Sequence, residues 1–337
     1  MSLPKFSFIV PVRNESARID ACLSSICNQR YPAELVEIIV PDQGSEDDTR
    51  ERARSYGATV IENPPQRGIF ALPGALRAAS GELYAIMAAD NRVDPTFCSR
   101  MASAFQRSDV KIAFPFVSTD RPDYALAVRY INRFTDPFNH FIYGDASNPR
   151  DLNRAYQPFA RENGYSIYHF PQGRPPLLAT AQGMVLRAPI DVDGYADDVA
   201  IIFDILQQGH AAACVEDALC DHYTATSLSD VLRKFRRIIA KNFKPASSLR
   251  WRDRYLPPER IARRRWWPLY AISFVGPLAV GIYRAIRDRE PLWLYHPIIS
   301  FAFAFVTAQE AAKNLPRAVT LLNGGASGID EGDVSRE

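Results

Sequence analysis

Residues 6–29 read FSFIVPVRNESARIDACLSSICNQ, and their order of elements decides the rest. Phe6 to Val12 is an apolar run broken only by Ser7 and closed by Pro11, which is how a strand covered on both faces reads. Asn14 and Glu15 end it, and Ile19, Leu23 and Ile26 then recur at helical spacing. Strand, turn and helix in so short a stretch open a βαβ unit. VEIIVPD (36–42) predicts a second strand, and QGSEDDT (43–49) a loop and helix start. ATVIEN (58–63) predicts a third strand and GIFALPGALRAAS (68–80) a helix that Pro73 and Gly74 weaken. GELYAIMAAD (81–90) predicts a fourth strand, with DPTFCSRMASAFQ (94–106) as the helix after it. The fold class is therefore α/β, a mostly parallel sheet flanked by helices. Ligands of such sheets bind beyond the carboxyl ends of the strands. Asp42 and Asp90 both stand at such ends and are predicted to face one crevice.

The bulk composition narrows the field. The chain has 337 residues, of which 47% are hydrophobic and 23% charged, so it can bury a large core. A net charge of +2 supplies no field that would call for nucleic acid. The five cysteines, Cys22, Cys27, Cys98, Cys214 and Cys220, show no CxxC spacing and read as reduced thiols. The histidines do not cluster with them, which argues against structural zinc. MSLPKFSFIVPV has no cleavage signature, so no signal peptide is expected.

Residues 108–190 are less periodic, and 143–176 read as a long excursion over the surface. Regularity returns with VAIIFDILQQGH (199–210), an amphipathic helix, and AAACVEDALCDHY (211–223), a closing strand. DVLRKFRRIIAKNFK (230–244) is a basic amphipathic helix. Beyond it arginines mix with Trp and Tyr, and two uncharged stretches follow, 266–283 and 291–309, each near the lower length for a membrane span. The division expected is 1–245, a catalytic domain; 246–318, a basic, aromatic and hydrophobic helical region that associates with a membrane; and 319–337, a disordered tail.

Four motifs in order carry a resemblance. FIVPVRNESARIDACLSSICNQ resembles the opening of the family 2 glycosyltransferases of the GT-A fold, a strand, P-V-x-N-E and a helix. VPDQGSEDDT resembles that family's V-D-D-G-S-x-D-x-T, with Gln43 in place of the second aspartate. AADN falls where the family carries D-x-D, with Ala88 in place of the first acid. YADDVAIIFDILQQGH resembles the later E-D-x-x-L segment, and the whole resemblance covers residues 5–245.

The resemblance implies a Rossmann-like GT-A domain that moves a sugar from a nucleotide sugar, UDP- or GDP-linked, with inversion. Pro11, Val12, Asn14, Glu15 and Asp42 would line the nucleoside pocket; alternatively, Asp42 merely forms an Asx turn or caps the next helix. A divalent cation, Mg2+ or Mn2+, would bridge the diphosphate through Asp90, with Asn91 adding a neutral oxygen and His222 near the same point. The open alternatives are a metal-free site neutralised by Arg or Lys, and Asp90 as a helix cap. Asp198 would be the catalytic base and Asp197 its acceptor-side neighbour, unless both only complement a helix dipole. Gly183, in TAQGMVLR, would allow close approach on the acceptor side or be a strand bulge. Arg236 and Arg237 would meet the donor pyrophosphate or anionic lipid, or form a solvated basic face. That helix stands where processive relatives carry Q-x-x-R-W, which is missing here, so transfer of one sugar is expected.

The tail sets the location. Arginine and tryptophan directly before an apolar run fit an interface anchor. The link RAIRDRE (284–290) holds three arginines, which opposes exporting it. The expectation is a peripheral, monotopic protein at the cytoplasmic face of the inner membrane, or one with a C-terminal hydrophobic hairpin, acting on a lipid-linked or saccharide acceptor. A helical dimer interface is the alternative for the apolar stretches. Ala88 and Gln43 keep open a non-catalytic relative that binds nucleotide or glycan as a scaffold. A nucleotidyltransferase would need a glycine-rich phosphate loop, which PVRNESAR lacks.

Overall fold

The structure is a computed structural model that describes residues 2–62, 72–118, 121, 123–178, 182–190, 198–223, 225–242, 253 and 256–314. The tail 319–337 and Asp197 lie outside these described residues. The chain divides into two compact units, one of residues 1–118, 149–171 and 178–223, the other of residues 119–148, 172–177 and 224–337.

In the first unit β1 (Phe6–Ile9), β2 (Val36–Asp42), β3 (Thr59–Glu62) and β4 (Leu83–Met87) alternate with α1 (Ile19–Cys27), α2 (Thr49–Ser55) and α3 (Leu72–Ala78). These strands lie in the order β3-β2-β1-β4 and run parallel. Period-two alternation sorts their side chains: Phe6, Phe8 and Val10 enter one core, and Ile9, Ile39 and Ile86 enter the other. Both faces are covered, which is why the strands read as nearly unbroken apolar runs.

Beyond β4 the sheet becomes mixed. After β5 (Asn91–Val93) and α4 (Phe97–Ala104) come β6 (Val110–Val117), the short helix α7 (Leu152–Ala155), β7 (Ala160–Glu162), β8 (Tyr165–Tyr168), β9 (Gln182–Arg187), α8 (Asp198–Gln207) and β10 (Ala211–His222). The order continues β4-β9-β6-β10-β8-β7, and β5 pairs with the end of β10. β9 is antiparallel to both β4 and β6, and β10 is parallel to β6. β4, β6 and β10 therefore share one direction, and the reversed β9 starts where they end. The expected α/β sheet with flanking helices is present, parallel in its first half and mixed in its second.

The predicted surface excursion is corrected here. β7 and β8 form a hairpin through Gly164, at φ +89°, and β8 adds to β10 with Ile167 fully buried. Strands of three and four residues between prolines and glycines are too short to show a period, so sequence reading missed them.

The second unit is helical: α5 (Leu126–Phe134), α6 (Pro137–Tyr143), α9 (Leu228–Asn242), α10 (Pro258–Ser273), α11 (Val275–Asp288) and α12 (His296–Lys313). α10 and α11 meet at 89°, at Phe274, whose φ is +60°. The stretch Pro291–Lys313 is long and apolar enough to cross a membrane. These last helices bury Trp267, Ile299, Phe303 and Val306, yet they also expose an apolar stripe and bury polar groups. Along α12 and its lead-in, Leu294, Ile298, Phe301 and Phe305 are exposed, whereas His296, Ser300 and Glu310 are buried. Along α11, Val275, Leu278, Ile282 and Ile286 are exposed, while Arg284 is buried against Asp145 (2.5 Å) and Asp288 (3.1 Å). In α10, Arg264 is buried against Asp253. His296 sits between the hydroxyls of Tyr130 and Tyr270.

Candidate active site

One edge of the sheet gathers most of the candidate residues, and strand direction explains why. The chain leaves β1 toward Val12 and Asn14, leaves β2 at Asp42, leaves β4 toward Asp90 and leaves β10 at His222, all at the carboxyl edge. β9 arrives there in the opposite sense, so its first residue, Gln182, lies beside Met87.

The first cluster is two loops laced together. Past β1 the backbone continues alongside β2: Val12 donates to the Pro41 carbonyl (3.1 Å) and Gln43 to the Val12 carbonyl (2.9 Å). Asn14 takes φ +53°, a left-handed conformation that asparagine tolerates better than most residues. It donates its N–H to Ser45 Oγ (2.9 Å) and accepts from Glu46 N–H through Oδ1 (2.8 Å). Glu15 N–H donates to Thr49 Oγ1 (2.8 Å), and Ser16 N–H to Asp47 Oδ2 (3.3 Å). Asp42, 1% exposed, accepts from Gly44 N–H (3.2 Å), Ser45 N–H and the Ser45 hydroxyl. Asp42 is thus in an Asx turn, and the two carboxylate oxygens together have lone pairs for further donors. Asp47 is held down to about 2, first by the Thr49 hydroxyl and then by Ser16, so it pins the two loops as an anion. Asp48 pairs with Arg52 (2.8 Å).

The second cluster surrounds Asp90. Ala88 contributes backbone only: its carbonyl accepts from Asn91 N–H (3.0 Å), closing the turn that leads from β4 into β5. The Asp90 carbonyl accepts from Tyr223 N–H (2.8 Å), and its carboxylate Oδ2 lies 3.8 Å from His222 Nε2. Asn91, fully buried, is the β5 partner of His222. Gln182 Nε2 donates to His222 Nδ1 (2.8 Å). Gly183, at φ +83°, is the extra residue of a bulge between the Ile86 and Met87 pairings. A Cβ there would press on Phe97 and Pro115 at 3.4 Å. Burial, reinforced by the charge of Asp90, pushes the Cys22 thiol up to about 12, so it stays protonated and inert.

A cation would find a workable donor set here. One carboxylate and one amide oxygen suit Mg2+ or Mn2+, which take few protein ligands and complete their shell with phosphate and water, and an imidazole nitrogen favours Mn2+ over the harder Mg2+. Two ligands of one such ion stand about 3–4 Å apart, which 3.8 Å between Asp90 and His222 meets. Among the described residues no three His, Cys, Asp or Glu side chains converge.

The remaining candidates are distributed differently. Asp198 is the first residue of α8. Arg236 and Arg237 lie on α9, in the helical unit, where Arg236 donates to Gln309 (2.7 Å) and Arg237 is exposed. Sequence reading missed the hydroxyls of Ser45 and Thr49 and the amide of Gln182. The signals were present: Asp-x-Gly-Ser is the spelling of an Asx turn, and a glycine inside a strand marks a bulge that re-aims its neighbour.

Comparison with known proteins agrees with the motifs. The model of "Glycosyl transferase family 2" matches residues 7–169. Glycosyltransferase AglE of Haloferax volcanii is 28% identical over 169 residues, 48% of this chain and 54% of that protein. 4,4'-Diaponeurosporenoate glycosyltransferase of Staphylococcus aureus is 48% identical over 56 residues, 17% of this chain and 14% of that protein. The chain thus spans about half of the first relative and a small part of the second. Mannosyltransferase PcManGT of Pyrobaculum calidifontis, solved with GDP-Man and Mn2+, is 20% identical with a TM-score of 0.49, over 91% of this chain and 88% of that one. The matched span runs from β1 to β8 and holds both laced loops and the Asp90 turn, so over residues 7–169 the chain is similar to the family 2 glycosyltransferases.

Proposed function

We propose that this chain transfers one sugar, with inversion, from a UDP- or GDP-linked donor to a lipid-linked or saccharide acceptor. The observation that carries this is a buried carboxylate, Asp42, in a rigid loop pair on the same sheet edge as the Asp90–His222 pair. A nucleoside diphosphate would place its base and ribose at the Pro11, Val12, Asn14, Glu15 and Asp42 end of that edge and its phosphates at the other. Asp42 accepts from the base edge, and its position is held because Ser45 and Gly44 fix the carboxylate before any ligand arrives. Asp90, Asn91 and His222 hold a divalent cation, which when bound neutralises charge developing on the departing diphosphate. Arg236 and Arg237 add basic charge for the pyrophosphate or for anionic lipid. Asp198, at the head of α8, takes the acceptor hydroxyl's proton on the opposite face of the sugar; Asp197 and Gly183 border the acceptor.

The acceptor class and location rest on the helical unit. Apolar residues outside and ionised residues inside suit lipid, where no water is available to reward the usual arrangement. The protein then sits at the cytoplasmic face of the membrane with α10, α11 and α12 in the interface, its basic and aromatic residues at headgroup level.

Calorimetric titration of UDP and GDP, with and without Mn2+ or Mg2+, tests the donor site. Binding that needs the cation and disappears in Asp90→Ala supports the proposal. Binding indifferent to both refutes the cation site and turns the balance to a nucleotide-binding scaffold, which then releases no nucleoside diphosphate in a transfer assay.

A further inference from the structure

We propose that Gln182 is a positioning residue that sets whether the His222 nitrogen facing Asp90, Nε2, carries a proton or a lone pair. This rests on the assignment of Asp90 and His222 to the cation, and it goes beyond it by naming what makes His222 a ligand. An amide nitrogen can only donate, so with Gln182 Nε2 at 2.8 Å the Nδ1 atom of His222 accepts. Neutral His222 then carries its proton on Nε2, the nitrogen 3.8 Å from Asp90 Oδ2. In that state the Nε2 proton faces the Asp90 carboxylate and Nε2 has no lone pair for a cation. Turning the Gln182 amide over presents its Oε1 to Nδ1 instead, which draws the proton to Nδ1 and opens the Nε2 lone pair. Both orientations occupy the same space, because the two ends of the amide are nearly isosteric.

Glutamine is suited to this in a way that its neighbours in size are not. Glutamate can only accept and leucine can do neither, so each fixes or removes one of the two states. The backbone holds Gln182 for the task. β9 runs against β4, so its first residue reaches the carboxyl edge, and the Gly183 bulge, at φ +83° with Phe97 and Pro115 packed against it, fixes the angle at which Gln182 leaves the sheet. Nothing in the packing of β9 requires a polar residue there, since Met184, Val185 and Leu186 beyond it are wholly buried and apolar.

The test uses the full chain with histidine labelled at nitrogen, above the ordinary histidine range of about 6.5, where the ring is neutral. Nitrogen chemical shifts then report which nitrogen of His222 is protonated. Wild type is expected to carry the proton on Nε2 without cation and on Nδ1 with Mg2+ and UDP or GDP. Gln182→Glu is expected to carry it on Nδ1 from the start. Mn2+ affinity, read by electron paramagnetic resonance, should fall about 10–100-fold in Gln182→Leu, the usual effect of removing a partner behind a metal ligand. A Gln182→Glu protein that keeps the proton on Nε2, or a Gln182→Leu protein that binds Mn2+ within twofold of wild type, would overturn the proposal. His222→Ala separates the two levels. If it binds Mn2+ like wild type, the cation assignment itself fails; if it loses Mn2+ while Gln182→Leu does not, only Gln182 is wrongly assigned. The isosteric glutamate variant keeps the question decidable if the leucine variant does not fold.

Discussion

Replacing Leu269, Ile286 and Phe305 together by serine gives a sharp test of the exposed apolar stripe of the helical unit. One residue comes from each of the three last helices, and their exposures are 65%, 74% and 59%. Together they present about two whole side chains of apolar surface to the surroundings. Full burial of a large aliphatic or aromatic side chain is worth about 1.5–3 kcal/mol, so the three would contribute about 3–6 kcal/mol to membrane binding. At about 1.4 kcal/mol per tenfold, the triple variant should bind vesicles about 10²–10⁴ times more weakly. Because none of the three lies in a core, secondary structure and thermal midpoint in detergent should hardly change. Co-sedimentation with vesicles of phosphatidylglycerol and phosphatidylcholine, over a range of lipid concentration, reads the partition coefficient directly. An unchanged coefficient would refute the lipid assignment. If the same variant instead passed from dimer to monomer on a sizing column, the exposed faces would belong to a second copy of the chain.

Three further outcomes follow from the first unit. Asp198→Asn should abolish sugar transfer and leave UDP or GDP affinity within a few-fold, and normal turnover would remove Asp198 as the base. Ser45→Ala removes the hydroxyl that accepts from Asn14 and donates to Asp42, a hydrogen bond to a buried charge; it should cost about 2 kcal/mol in denaturant unfolding and weaken nucleotide binding about tenfold. Burial pushes the Glu37 carboxyl up, but hydrogen bonds from Ser7, Ser80 and Lys5 outweigh it and bring it down to about 2. Its folded value is below its unfolded one, so its contribution is present above about 4.5 and is lost as pH falls toward 2. Allowing for its solvent-facing side, that is about 1–2 kcal/mol, and Glu37→Gln should flatten the acid limb of urea midpoints in that window.

The legible part of the sequence was the part with covered strands and long helices. β1, β2 and β4 announce themselves because both faces are apolar, and the loops after them carry glycine, asparagine and acids in fixed order. What the residues could not disclose was strand direction. Nothing in TAQGMVLR says that β9 runs against its neighbours, yet that reversal alone brings Gln182 to the edge where β4 ends. The resemblance placed His222 near Asp90, but the residues did not show what joins them, which is β5, whose Asn91 pairs with His222 at the end of β10. Likewise the last helices were legible as apolar, but which stripe faces outward depends on where His296, Arg264 and Arg284 find their partners.

The missing acid at Ala88 changes the order of events more than the chemistry. With Asp90 as the carboxylate and His222 neutral, the cluster offers one negative charge where the family's paired acids offer two. A divalent cation is held by charge count as well as by geometry, so this cluster alone holds one loosely. The donor supplies what the protein omits: its diphosphate brings both oxygens and negative charge to the same edge, next to the rigid Asp42 loop pair. On the proposed function, nucleotide and cation would bind as a unit, each raising the affinity of the other by the same factor. The same logic gives Gln182 its place, because a site that waits for the donor gains from a histidine that keeps a proton on the nitrogen facing Asp90 until the cation arrives.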